Sequence, residues 1–243
     1  MIDTLLVLNA GSSTLKFQVL HHGSLEVLLS GKVAGIGGRA TMSARLADNN
    51  DATVPDIDGI GHDAALKSVL DLVDRHDDNW KILAVVHRVV HGGSLFTEPV
   101  IVTPDVVRKL ETLIPLAPLH QSHNLAGIAA STRLAAHAVN IACFDTAFHS
   151  GQADLFRSFA IDRRLREKGI RRYGFHGLSY EWIAHVLGEQ HGDLHAGRTV
   201  IAHLGNGASL CALRGGRSID TTMGMTALDG LPMGTRSGAI DPG

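Results

Sequence analysis

The chain is poor in the features that would commit it to a secreted, membrane-bound or metal-built class. Its two cysteines, Cys143 and Cys211, both in apolar strand-like surroundings, are too few for a disulfide framework and read as reduced core thiols. No apolar run approaches the length of a membrane-spanning helix. The short run before Asn9 is too brief for a signal peptide, and Asp3 gives it the wrong charge. A formal charge of -2 provides no general attraction to nucleic acid or anionic lipid. Fifteen histidines are present, yet none sits in a His-Glu-x-x-His pair or a zinc-type Cys/His spacing, so no structural metal is expected. The G-x-x-x-x-G-K-[ST] loop is missing too, which excludes the P-loop class. What remains is 243 residues with 44% hydrophobic content, enough for a large core and two domains, or one and part of another.

The most informative stretch is Asn9-Ala10-Gly11-Ser12-Ser13-Thr14-Leu15-Lys16, set between Leu5–Leu8 and Phe17–Leu20. Leu15, Phe17 and Val19 alternate with Lys16 and Gln18, the period-2 pattern of a strand buried on one face, so Thr14, Lys16 and Gln18 should share the other. Gly11 and the serines allow a tight turn lined with N–H and O–H donors, and Lys16 adds a positive charge for an anion. An ordinary polar hairpin would need fewer of these groups together. The same logic returns at His203-Leu204-Gly205-Asn206-Gly207-Ala208-Ser209, which implies an internal duplication with a ligand held between the halves. Gly35-Ile36-Gly37-Gly38-Arg39-Ala40 formally fits a dinucleotide fingerprint, but no helix follows it and the reading is rejected.

Elsewhere strands and helices alternate as in an α/β protein. Strands are expected at 25–32, 82–86, 140–144, 199–204, 209–213 and 217–220, and helices at 63–75, 106–113 and 124–137, with weak periodicity from Gly35 to Asp58. His87-Arg88-Val89-Val90-His91-Gly92-Gly93 follows the second of these strands, and Asp145 the third, where α/β sheets place ligands. Residues 146–151 are the expected interdomain crossover. His21, His22, His62, His76, His185, His191 and His195 read as solvated, and Arg157 as an ordinary surface arginine.

With these residues in view, the chain resembles the acetate kinases, the acetokinase family of the acetate and sugar kinase, heat-shock chaperone and actin superfamily. The resemblance runs from Leu6 to Gly243 and rests on ordered motifs: Asn9–Lys16, His87–Gly93, Pro118-Leu119-His120, Phe144–His149, Arg172–Gly177, His203–Ser209 and Met233–Gly238. It implies an α/β, duplicated ribonuclease H-like (actin-like ATPase) fold, the first domain at 1–147 complete and the second, nucleotide-binding domain begun at 148–243 and truncated. It also implies reversible phosphoryl transfer from ATP to acetate, with Mg2+, in a cytoplasmic homodimer. By that resemblance Arg88 holds the acetate carboxylate, for which a guanidinium fork is well shaped, and His176 and Arg236 stabilise the transition state. Asp145 is the catalytic carboxylate, set against the acceptor oxygen or the metal's water. Asn9 is associated with magnesium, Ser12 and Lys16 contact phosphate, and His203, Leu204, Gly205, Asn206 and Gly207 form the ATP phosphate segment. Val90, Leu119 and Phe175 form the apolar wall around the acetate methyl group.

Two departures stand out. Ala227 occupies a position where the family commonly has proline, which should loosen the wall, and one methylene there is worth only about 1–3 kcal/mol of discrimination. Propionate or butyrate is therefore the nearest competing substrate. The chain also stops in a loop at Asp241-Pro242-Gly243, before the expected adenosine pocket, so the isolated chain is expected to bind phosphate without acting as a kinase. A pure binding module need not keep Asp145, Arg88 and Arg236 together, and a sugar kinase would want polar groups where Val90, Leu119 and Phe175 stand.

Overall fold

The computed structural model describes residues 1–57, 59, 61–76 and 79–241, with the His76 side chain excluded. The readings that fall on Asp58, on the His76 side chain and on Pro242-Gly243 lie outside the described residues. By compactness the chain divides into one unit of 1–89 and 99–143 and a second of 90–98 and 144–241. This division falls four residues before the expected boundary and assigns the segment after His87-Arg88-Val89 to the second unit.

The first unit is built on a seven-stranded sheet in the order β4-β3-β2-β1-β5-β7-β6. Its opening is an antiparallel meander of β1 (Ile2–Ala10), β2 (Thr14–His21), β3 (Val27–Ala34) and β4 (Thr41–Leu46). Alternation is strict where one face meets the core: Leu6, Leu8 and Ala10 on β1, and Leu15, Phe17 and Val19 on β2, are buried. β4 lies within the stretch that shows weak periodicity in sequence, because it is an edge strand with only Ala44 buried. A parallel return to β1 needs a crossover, and α1 (His62–His76) supplies it before β5 (Trp80–Val89). Ala65, Leu66, Val69, Leu72 and Val73 form the buried stripe of α1. β5 is longer than expected and carries His87 and Arg88 within the strand rather than beyond its end. β6 (Val100–Ile101), α2 (Pro104–Glu111), α3 (Pro118–Leu134) and β7 (Val139–Phe144) follow. Thr103 caps α2, its side chain accepting from the Val106 N–H at 3.3 Å, with Pro104 at the first helical position.

The second unit has two short helices, α4 (Asp154–Arg157) and α5 (Arg163–Glu167), then α6 (Gly177–Gln190) and α7 (Gly192–Ala196). A three-stranded antiparallel sheet follows, made of β8 (Arg198–Leu204), β9 (Ala208–Arg214) and β10 (Arg217–Thr221). Gly215 and Gly216, at φ 58° and 69°, make the two-residue β9–β10 turn, which demands positive φ at both positions. Tyr180 and Ala184 of α6 pack on Cys211 and Leu213 of β9. Cys143 and Cys211 form no disulfide, and burial pushes the Cys211 thiol up to about 11, a chemically quiet core group.

Candidate active site

In the first unit the hairpin turn is held by polar contacts from beneath. The Gly11 N–H donates to Thr14 O at 2.8 Å, Asn124 Nδ2 donates to Ala10 O at 2.9 Å, and His62 Nε2 lies 2.8 Å from Gly11 O. A carbonyl only accepts, so the His62 proton sits on Nε2. His62, read from sequence as solvated, is instead a half-buried buttress of the turn, stacked on His123 at 5.3 Å. Burial, with a smaller contribution from His62, lowers the His123 pKa.

Ladder register places Asn9 opposite Lys16, so the two share the solvent-facing side of β1 and β2. Ser12 and Lys16 are exposed. β1 and β5 pair with Leu8 opposite His87, and the next residue, Arg88, donates from Nη1 to Asn9 Oδ1 at 3.2 Å. Two sequence-identified residues are thus brought together, and the observed partner of the Asn9 carboxamide is a guanidinium. Behind them His87 is buried, with Nε2 2.9 Å from Asn140 Oδ1 and 3.0 Å from Ser131 Oγ. Burial lowers the His87 pKa, and the Asn140 bond opposes that shift without overcoming it. Leu119, on α3, is 74% exposed.

In the second unit Asp145 follows β7 and is buried. Its backbone carbonyl accepts the Gly177 N–H at 2.8 Å, and a Cβ on residue 177 would come within 2.2 Å of that oxygen. Glycine at 177 therefore lets the first turn of α6 sit directly on Asp145. His176 caps the helix in the left-handed region, φ 59° and ψ 18°. Its ring stacks on His203 at 4.1 Å, and His203 Nδ1 lies 3.0 Å from Ser179 Oγ.

Arg236 is fixed by the Ala227 carbonyl at 2.9 Å and by Met233 Sδ at 3.4 Å. The β8–β9 turn is closed by Gly205 N–H donating to Gly207 O at 3.0 Å. A Cβ at Gly207 would lie 3.1 Å from His176 Nε2 and 3.5 Å from Arg236 Nη1, so imidazole and guanidinium converge on one point of a glycine turn. Asn206 occupies the turn, and Leu204 is 76% exposed. Val90 and Phe175 are both buried in this unit, with Phe175 set edge-on to His91 at 5.4 Å. His91 Nδ1 accepts the Gly93 N–H at 2.8 Å, and burial pulls the His91 pKa down to about 4.

Ser209 and Tyr180 carry no signal of their own in the sequence. Ser209 was visible only as part of a turn motif, yet its hydroxyl lies 2.8 Å from His176 Nδ1 and 2.5 Å from the Tyr180 hydroxyl. Among the described residues no three His, Cys, Asp or Glu side chains group as a metal site, and no helix is long and apolar enough to cross a membrane.

The acetokinase family model matches residues 4–243. The chain is 46% identical over 252 residues to the acetate kinase of Rhodopseudomonas palustris strain TIE-1, covering 100% of this chain and 63% of that protein. Among solved structures, it superposes on Porphyromonas gingivalis acetate kinase with TM-score 0.87 at 37% identity, covering 99% of this chain and 62% of that one. It superposes on a Francisella tularensis propionate kinase with TM-score 0.91 at 34% identity, again covering 99% and 62%. The chain therefore spans less than two thirds of the length of these relatives.

Proposed function

We propose, because the chain belongs to the acetokinase family, that the whole protein transfers the γ-phosphoryl group of ATP reversibly to acetate, giving acetyl phosphate and ADP. The observation that carries this reading is the convergence of His176 Nε2 and Arg236 Nη1 on the Gly207 turn. Phosphoryl transfer asks a protein mainly for alignment and charge compensation. A cation and an imidazole aimed at a glycine turn supply both. Ser12, Lys16 and the 203–207 segment act in this reading as phosphate contacts.

Arg88, steadied by Asn9, binds the carboxylate of the acid through its planar fork. A carboxylic acid is already ionised at pH 7, so Asp145 acts by positioning rather than by removing a proton. In the first unit Asn9 Oδ1 offers Mg2+ a single hard oxygen, and among the described residues no three His, Cys, Asp or Glu side chains group as a cage. That donor set suits an ion that keeps its waters and arrives with the nucleotide. Asn9 is the residue that would contact it, and it would offset charge on the phosphate oxygens. Cytoplasmic residence, for which two cysteines outside any disulfide are support, and a homodimeric assembly complete the reading.

Propionate is the second reading, favoured by the close superposition on a propionate kinase and by Ala227, whose carbonyl anchors Arg236 without a proline ring. Hydroxylamine trapping of acyl phosphate by the whole protein, with acetate, propionate and butyrate as acceptors, tests both. Acetate is expected to give the highest kcat/KM, with propionate lower by about 10- to 200-fold per methylene. A reversed ratio would replace acetate by propionate, and no acyl phosphate from any acid would remove the kinase reading.

A further inference from the structure

His176 is held from behind by a chain of hydroxyls whose direction follows from counting protons. Nδ1 lies 2.8 Å from Ser209 Oγ, and Ser209 Oγ lies 2.5 Å from the Tyr180 hydroxyl, with Ser209 and Tyr180 both fully buried. The side-chain hydrogen-bond partner of the Tyr180 hydroxyl is Ser209 Oγ, and a buried O–H is costly to leave without an acceptor. The phenol proton is therefore directed to Ser209 Oγ, a hydroxyl that can accept it. Burial keeps that proton in place, pushing the Tyr180 pKa up to about 12. Ser209, having accepted from Tyr180, turns its single proton to His176 Nδ1. A neutral imidazole whose Nδ1 accepts carries its hydrogen on Nε2, and Nε2 is the nitrogen facing Gly207.

We propose that Ser209 and Tyr180 are positioning residues that lock His176 in the Nε2–H tautomer, so that it meets the phosphoryl group as a neutral hydrogen-bond donor rather than as an imidazolium. The inference rests on the reading of His176 as a phosphoryl contact. Protonating His176 would set an Nδ1–H against the Ser209 O–H and leave the serine proton, with Tyr180 still donating, no acceptor in the chain. The surrounding charges act in both directions. Arg236 beside the same glycine, and a protonated His203 stacked on the ring, would oppose a positive charge on His176, while a carboxylate at Asp145, whose backbone carbonyl meets the first turn of α6, would favour it. Donation from Nε2–H breaks no covalent bond and needs no proton transfer.

The test is selective labelling of histidine with 13C and 15N, with the His176 signals assigned by their loss in His176→Gln. Wild type at pH 7.5 should show the two-bond pattern of an Nε2–H tautomer. Tyr180→Phe frees the Ser209 proton and should give mixed tautomers, with imidazolium appearing at higher pH than in wild type. The same variant should lower kcat about fivefold, the effect of one neutral hydrogen bond, with both KM values unchanged. An Nδ1–H tautomer or an imidazolium in wild type at pH 7.5 would overturn the proposal, and this spectrum decides it even if the variant does not fold. Unchanged tautomer and kcat in a folded Tyr180→Phe would overturn it equally. Since the spectrum needs no turnover, an Nε2–H pattern without acyl phosphate would sink the kinase reading and, with it, the phosphoryl role assigned to His176.

Discussion

In the first unit the chemistry-bearing side chains stand on neighbouring strands of one ladder: Asn9 opposite Lys16, and Arg88 on the parallel strand beside Asn9. In the second they are gathered by other side chains and by loop carbonyls: His176 by Ser209 and Tyr180, and Arg236 by the Ala227 carbonyl. Both regions begin from a strand, a short glycine-containing turn and a returning strand, with Asn and Ser in or beside the turn. Backbone pairing fixes the position of a group whatever lies behind it. A group held through buried hydroxyls loses its orientation when one hydroxyl is removed. The second region should therefore be the more sensitive of the two to changes that touch no ligand.

The largest effect expected is on turnover. Arg236→Ala in the whole protein should lower kcat by about 10²- to 10³-fold, the loss seen when one charge-stabilising donor is removed, while Arg164→Ala, whose side chain is 89% exposed, should change nothing measurable. Arg157 would be a poor control. Read from sequence as a surface residue, it is half-buried and donates to Ser150 O at 2.7 Å.

Next comes a pH effect on stability. His91 is neutral in the fold, with its pKa near 4 against 6.5 for an unperturbed histidine. The unfolded chain then binds the extra proton first, so stability is fully present above pH 6.5 and is lost as pH falls toward 4, by about 3 kcal/mol from this group. Buried His149, whose Nε2 and Nδ1 meet Phe175 O and Ser218 Oγ, and buried His87 in the first unit act in the same direction. Thermal melts across pH 4 to 8 of wild type and His91→Gln should show the variant less pH-dependent. Equal slopes would remove His91 from the explanation.

Gly177→Ala should follow, destabilising by about 1–3 kcal/mol, as over-packing does, because its Cβ would press on Asp145 O. Chemical denaturation would report it, and an unchanged midpoint would mean that the α6 start tolerates a shift. The smallest effect expected is at the exposed Lys67–Asp71 pair, 3.1 Å apart one turn along α1. Asp71→Asn should cost no more than about 0.5 kcal/mol in the same measurement.

The two hairpins were readable in the sequence because each combines period-2 burial with turn chemistry that has few other uses. α1 was readable from its 3.6-residue stripe. α6 was not, because two of its large apolar residues face outward, Trp182 at 61% exposure and Ile183 at 38%, while the buried positions are the small or polar-tipped Gly177, Tyr180 and Ala184. Missing α6 meant missing that His176 is its cap. The relay behind His176 was equally hidden, since Tyr180 and Ser209 are 29 residues apart and meet only through the packing of α6 on β9. Arg88 was found by motif, but its contact with Asn9 depends on a parallel pairing across 79 residues that no local pattern encodes.

In the proposed reaction Arg88 receives the acid, and the Gly207 turn meets the nucleotide phosphates. Initial-rate kinetics of the whole protein, with both KM values determined for wild type, Arg88→Ala and Gly207→Ala, tests it most directly. Arg88→Ala should raise the KM for acetate by about 10- to 100-fold, the worth of charge-assisted hydrogen bonds, and leave the KM for ATP unchanged. Gly207→Ala, whose Cβ would press on His176 and crowd the phosphate turn, should do the reverse. Variants that raise the two constants together, or that exchange these patterns, would overturn this division of roles.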